Sequence, residues 1–400
     1  MEKIAHAELD GDRPPADDRS GMTLKIALVG CGKIADGHVE EIQKLPGRAR
    51  VVAVCDRELL MAEQIAVRYG LPAHYDSYER MLERERPDVV HITTPPQSHL
   101  PLARLALAAG CHLYVEKPLA LDHADATALV NAVAAAGKKM TIGYTYLFDP
   151  PALEMRSLIA EGAVGKVVHV ESWYGYSLHG QFGSAILADP GHWVHSLPGK
   201  LFHNNVDHVL NKLTEFVADD APALDARAWR RHPVHFGDAR DQMQDELRLT
   251  LVGQETSAYG TFSSHVKPAA HFVRVYGEKN IMHVDYVSRS VTLEPGATLP
   301  SAVGRLVPPL GQALQLLRAG ARNGAAFARG DFHFFSGLNR LIASFYDCIL
   351  EDGPLPIATR DMLRVSAWME RIFAQIAAGH AAPAAGAPAP GPGVSREVAR

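Results

Sequence analysis

Three short stretches between Leu24 and Pro118 hold residue types whose order suggests a common chemistry. Gly30-Cys31-Gly32-Lys33-Ile34-Ala35 follows the apolar run Leu24–Val29. Glycines at 30 and 32 allow a sharp turn and a close backbone approach to an anion, with no Cβ in the way. The helix that must follow presents free N–H groups to a pyrophosphate, and Ala35 is small enough for helix–strand contact. Val51–Cys55 is a second buried-strand run, and Asp56 ends it where a carboxylate can accept both hydroxyls of a ribose. That carboxylate repels a 2′-phosphate and so favours NAD over NADP. Arg57, the next residue, offers the opposite preference if it swings over. Glu116-Lys117-Pro118 closes the run Cys111–Val115 and places an ammonium where it can stabilise a developing alkoxide.

The loop Thr93–His99 follows a third strand. Two prolines hold it extended, Ser98 can cap the next helix, and Thr94, Pro95 and His99 are candidate cofactor contacts. A capped loop with no ligand is the plain alternative, and His91, inside the strand, reads as a satisfied core histidine. Further along, His192, Trp193, His195, His203, Asp207 and His208 form a polar cluster. Imidazoles and a carboxylate suit zinc, but a substrate pocket rich in hydrogen-bonding groups is the preferred reading, with no metal.

These groups need a scaffold, and the pattern supplies one. Strands at 24–29, 50–55, 89–93, 111–115 and 139–143 alternate with helices near 33–45, 58–69, 77–85, 98–109 and 122–136, which predicts right-handed crossovers and a parallel sheet. After about 148 the rhythm changes. A helix at 151–161 and a long strand at 165–173 precede a single helix expected over 201–216. Strands follow at 226–231, 244–252, 256–263, 271–276, 281–285 and 290–293, patterned as an open antiparallel sheet with one face covered. The expected units are a flexible arm (1–22), a doubly wound Rossmann domain (23–147), a substrate and oligomerisation α+β domain (148–378) and a disordered tail (379–400). Within the second domain, 305–330 reads as an added helix. Its amphipathic character allows membrane-surface contact, but a lid or interface helix is preferred. Helices at 333–350 and 359–377 close the fold.

Composition sets the remaining bounds. A chain of 400 residues exceeds one compact core, and 47% apolar with 21% charged residues is ordinary for a globular enzyme. The net charge of −5 gives no footprint for nucleic acid. No apolar run is long enough for a membrane span. Cys31, Cys55, Cys111 and Cys348 lack paired metal-ligand spacing, and a cytoplasmic, reduced setting is expected.

In Gly30–Ala35, Thr94-Pro95 and Glu116-Lys117-Pro118 the chain resembles the glucose–fructose oxidoreductase / inositol dehydrogenase / rhizopine catabolism family, from about Leu24 to Val291 and again near Phe345–Ile372. The resemblance implies bound NAD or NADP, an open sheet in the C-terminal domain, homodimers or homotetramers through that sheet, and substrates among sugars, cyclitols and their derivatives. It gives Lys117 the catalytic role at the substrate oxygen, sets Glu116 toward the cofactor, and brings Tyr144 and Tyr146 beside the substrate. An aromatic domain interface is the other reading of those tyrosines.

The same resemblance exposes a departure. The family's second motif runs roughly Gly-Gly-x-Leu-x-Asp-x-Gly-x-His. Fixed on Gly199 and Leu201, its Asp position holds His203 and its His position holds Asp207. Residues four apart share a helix face, so His203 and Asp207 are expected to form a reversed imidazole–carboxylate dyad, with His195 and His208 as further substrate contacts. The leading expectation is an NAD(P)-dependent oxidoreductase acting on a hydroxyl or keto carbon of a sugar-like molecule. The alternatives are a redox-neutral enzyme that oxidises transiently, and a non-catalytic dinucleotide sensor.

Overall fold

The structure, a computed structural model, describes residues 23–180, 183, 184, 186, 189, 191–231, 243–296 and 300–381. The expected arm at 1–22 and the tail from 382 onward lie outside the described residues.

The N-terminal part is built from β1 (Leu24–Val29), α1 (Lys33–Gln43), β2 (Ala49–Cys55), α2 (Leu59–Tyr69), β3 (His74–Tyr75), α3 (Tyr78–Glu85), β4 (Val89–Ile92), α4 (His99–Ala108), β5 (His112–Val115), α5 (His123–Ala135) and β6 (Met140–Ile142). The strands form one all-parallel sheet in the order β3-β2-β1-β4-β5-β6. Every residue of β4 is buried, as a strand covered by helices on both faces requires. The two-residue β3 lacks the apolar run that marks its neighbours. The chain reverses its winding between β1 and β4, which sets Gly30, Asp56 and the loop after β4 together at the carboxyl ends of the strands, where ligands bind in doubly wound folds.

A turn at Thr145–Phe148 and α6 (Pro150–Ala160) lead to the second sheet. Its strands are β7 (Val167–Ser177), β8 (Ala223–Trp229), β9 (Glu246–Val252), β10 (Ser257–Ser263), β11 (His265–Gly277), β12 (Asn280–Asp285) and β13 (Ser290–Pro295). Their order is β13-β12-β11-β7-β10-β9-β8, antiparallel throughout except for the parallel pair β7–β10. Alternation decides its faces: Val170, Ser172, Val273 and Val275 are buried while Val168 and Tyr259 face outward. Between β7 and β8 lie α7 (Lys200–His203) and α8 (Asp207–Leu213). The single helix expected over 201–216 is therefore two pieces, broken at Asn204–Val206.

α9 (Ser301–Ala328) lies along β13, and α10 (Ser336–Leu350) and α11 (Thr359–Ala381) return to the first sheet. α10 packs on α1 and on the turn at 145–148, and α11 packs on α5, α8 and β8. The whole is an α/β fold with a Rossmann sheet and a second, open, mainly antiparallel sheet. Among the described residues no helix is long and apolar enough to cross a membrane.

Candidate functional site

The glycine turn is specified atom by atom. Gly30 has φ +100°, and a Cβ there would lie 2.7 Å from Thr94 Cγ2. Only glycine lets β1 meet the loop after β4 this closely. A Cβ on Gly32 would point into open space, and α1 starts behind it with no side-chain cap. The unfilled approach and uncapped N-terminus fit the phosphates of a dinucleotide. Asp56 braces the turn: Oδ2 accepts the Cys31 N–H at 2.7 Å and Oδ1 the Glu58 N–H at 3.0 Å. Half-exposed at the strand end, the carboxylate keeps acceptor capacity for a ribose diol. Lys33 and Arg57 are exposed around it and Ile34 is half-buried.

Thr94 and Pro95 are half-buried beside Gly30. His99 is not presented to this space. It is fully buried, with Nε2 2.8 Å from Thr94 O and Nδ1 3.1 Å from Leu119 O. The ring ties two loops together, and the cofactor contact expected of it is corrected to a bracing role. Ser98 also departs from expectation, donating to Pro95 O rather than capping α4.

A buried chain of hydrogen bonds stands behind Glu116. Tyr346 Oη lies 2.8 Å from His91 Nε2, His91 Nδ1 lies 2.8 Å from His38 Nδ1, and His38 Nε2 lies 3.0 Å from Glu116 Oε1. Glu116 Oε2 accepts the Lys117 N–H at 3.1 Å. One set of tautomers satisfies every member: Tyr346 donates to His91, His91 to His38, and His38 to Glu116. Burial holds His91 well below the usual imidazole range, which keeps it neutral in this chain. His91 is thus the satisfied core histidine its strand position suggested.

Lys117 reaches from the end of β5 to the break between α7 and α8. Its Nζ donates to Asn204 O at 2.9 Å and to Asn204 Oδ1 at 3.3 Å. Asn205, next in the break, accepts from Tyr176 Oη and donates to Leu201 O. Asp207 is fully buried, and burial raises its carboxyl to about 6 against the opposing pull of Lys117 and Lys212. Its Oδ1 accepts the His208 N–H, and Oδ2 has no protein partner. His208 packs edge-on to Tyr146 and Tyr174, and burial, with Lys117 adding, holds its ring well below the usual range. Lys117, Asp207 and His208 are brought together here.

His203 is not paired with Asp207. Its Nε2 lies 3.1 Å from Ala120 O and its ring stacks on Phe373. The reversed dyad fails because the helix breaks at Asn204–Val206, so residues 203 and 207 do not share a face. His203 lines a separate cavity of about 360 Å³ with Tyr144, Pro118, Asp122 and Met369. Burial lowers its imidazole to about 4 and keeps it neutral. Tyr144 is itself buried. His195 stands apart, with Nε2 3.0 Å from Ile186 O. Among the described residues, no group of three His, Cys, Asp or Glu side chains is arranged to hold a metal. A larger hollow of about 800 Å³ between β8 and the end of α11 contains none of the predicted residues.

Two residues escaped the sequence reading. Asn204 is the partner of Lys117, and the side-by-side asparagines at 204 and 205, poor helix formers, were the available sign of a broken helix. Lys212 is fully buried, with Nζ donating to His208 O and lying 5.4 and 5.2 Å from the ring centres of Tyr146 and Tyr286. Burial depresses its ammonium to about 7, opposed by Asp207, Glu215 and Asp149. A lysine after Val209-Leu210-Asn211 carries no sequence mark of this.

Comparison with known proteins places this geometry. Residues 24–144 match the model of an oxidoreductase family with an NAD-binding Rossmann fold. The D-glucoside 3-dehydrogenase of Escherichia coli (strain K12) is 30% identical over 152 residues, covering 37% of this chain and 43% of that protein. The inositol 2-dehydrogenase of Salmonella typhimurium is 31% identical over 151 residues, 37% of this chain and 45% of that protein. The match therefore spans less than half the length of these relatives. Over the larger fold, an oxidoreductase from Agrobacterium radiobacter, solved with NAD+, L-tartaric acid and magnesium, superimposes with TM-score 0.70 at 16% identity, covering 90% of this chain and 97% of that one. The WlbA dehydrogenase of Bordetella pertussis, solved with NADH and UDP-GlcNAcA, gives 0.71 at 19% identity, covering 91% and 98%. At these identities the likeness establishes the shared fold.

Proposed function

We propose that the chain, whose residues 24–144 match the model of an oxidoreductase family with an NAD-binding Rossmann fold, is a member of the glucose–fructose oxidoreductase / inositol dehydrogenase / rhizopine catabolism family and transfers hydride between a nicotinamide and a hydroxyl or keto carbon of a sugar, cyclitol or sugar-derived molecule. The observation that carries this reading is the meeting of Lys117 with the α7–α8 break, beside a buried carboxylate whose Oδ2 has no partner.

The Gly30–Ile34 turn and the start of α1 would hold the pyrophosphate, Asp56 the ribose and Thr94, Pro95 and Glu116 the cofactor's far side. Bound there, the dinucleotide supplies the hydride acceptor. Asp56 favours NAD, and Arg57 leaves NADP as the alternative. Lys117 Nζ stabilises negative charge on the substrate oxygen. Asp207 Oδ2 takes the hydroxyl proton, a task suited to a carboxyl raised to about 6, which is mostly ionised at neutral pH yet basic enough to accept. His208 and Tyr146 wall this space.

Residues 23–147 serve as the dinucleotide-binding unit and 148–378 as the substrate and association unit in this reading. The outer face of the second sheet, where Trp173 stacks on Phe272 at 5.8 Å and Tyr259 is exposed, supports homo-oligomers through that sheet. The four cysteines, all unpaired and buried, support a cytoplasmic setting. The test is a panel of sugars, cyclitols and sugar acids offered with NAD or NADP, with nicotinamide absorbance as readout. Reduction with one class of polyol supports the reading. Binding of NAD with no turnover, and no isomerised product, would favour the sensor.

A further inference from the structure

α9 is an amphipathic helix mounted the wrong way round. The residues it turns toward its own chain are small or polar. Gln315 bonds both the N–H and the C=O of Leu293, at 2.7 and 3.0 Å, Asn323 donates to Ser288 O at 2.8 Å, and Ala319 is buried. These amides shield β13, the edge strand of the second sheet, as exposed edges require. The opposite side carries Val303, Leu306, Leu310, Leu314 and Leu317, which are 44–72% exposed. A helix gains most of its stability by burying its apolar face, and this one buries almost none of it on its own chain.

We propose that this stripe is the contact surface for a second copy of the chain, helix against helix. Its spacing supports that occupant. Val303, Leu310 and Leu317 are seven apart with Leu306 and Leu314 between them, the rhythm of a helix–helix seam. Ala313, Ala321 and Gly324 leave room for two backbones to approach. The three arginines of the helix, Arg305, Arg318 and Arg322, lie off the stripe, and Arg322 is already paired with Glu154 at 2.7 Å. Like charges therefore do not face each other across the seam. Burying on the order of 100 Å² from each of five large side chains, with their small neighbours, brings roughly 600 Å² per subunit, the lower end of a standard interface. This surface lies on α9 and is separate from the outer face of the sheet. The other occupant of such a face is an anionic lipid surface, which also takes leucines flanked by arginines.

The experiment uses the full chain. Light scattering after size exclusion is expected to give an even-numbered assembly whose mass halves in the Leu310→Glu, Leu317→Glu double variant, with NAD affinity kept. Leu314→Cys, at the middle of the helix, gives a disulfide-linked dimer on mild oxidation, while the parent chain, with all four cysteines buried, gives none. This second variant decides the matter if the double variant does not fold. A monomeric parent chain, an unchanged mass in a folded double variant, or no cross-link from Leu314→Cys overturns the proposal. So does a monomer that binds phosphatidylglycerol vesicles and loses that binding in the double variant.

Discussion

Lys117 Nζ sits 2.9 Å from the main-chain oxygen of Asn204, which joins the end of β5 in the parallel sheet to the break between α7 and α8. A main-chain acceptor is insensitive to side-chain identity at 204, so Asn204→Ala should retain that bond and lose only the longer contact to Oδ1. The consequence lies in catalysis rather than in folding. Asn204→Ala is expected to lower turnover by less than tenfold, measured beside Lys117→Ala under the same conditions. A loss as deep as that of Lys117→Ala would assign the asparagine amide to the substrate.

The Asp207 carboxyl sets a pH limb. Its pKa is raised from 3.8 to about 6, so the ionised base appears only as pH rises through about 6, and kcat/KM should rise with it. Asp207→Asn should remove that limb and cut the rate by on the order of a hundredfold or more. His203→Ala should leave the limb in place, since His203 faces Ala120 and Phe373 instead. A limb near pH 6 that survives Asp207→Asn would move the base elsewhere.

Gly143 is where Glu116 can be disturbed without touching it. A Cβ on Gly143 would fall 2.5 Å from Glu116 Oε1 and 2.9 Å from Oε2. Gly143→Ala should push the carboxylate off His38 and off the Lys117 N–H, and weaken both NAD binding and turnover. Dinucleotide titration by fluorescence, with circular dichroism as a control for folding, reads this. Unchanged affinity and rate in a folded variant would show that Glu116 acts on neither.

The buried Lys212 predicts a slope in stability. Its pKa is depressed from 10.5 to about 7, so the unfolded chain binds the proton first as pH falls. The associated stability is present above about 10.5 and is lost as pH falls toward 7, levelling off below that. Lys212→Met, which keeps the apolar stem, should flatten the curve of melting temperature against pH over that window. Parallel curves for variant and parent would contradict it.

Much of this was legible in the sequence, and the failures share a cause. The parallel sheet could be read because β1, β2, β4 and β5 are apolar runs buried on both faces, each ending at a residue with a chemical reason to be there. The two-residue β3 was invisible because it buries too little to leave a pattern. His203 and Asp207 were read as one helix face because four-residue spacing predicts that only while the helix continues, and it stops at Asn204. The loop position of His99 suggests a cofactor contact, but the ring is fully buried against the main-chain oxygens of Thr94 and Leu119. Lys212 could not be found at all, since burial of a lysine is decided by the aromatic rings around it, which come from elsewhere in the chain.

Lys117 acts on the substrate and not on the cofactor in this reading. The direct measurement pairs NAD affinity with single-turnover rate for the parent chain and Lys117→Ala, on whichever polyol the panel identifies. NAD affinity within about threefold of the parent, with a rate lower by on the order of a hundredfold or more, is the result expected from loss of one charge contact at the transition state. A rate near that of the parent, or a loss explained wholly by weaker NAD binding, would contradict it.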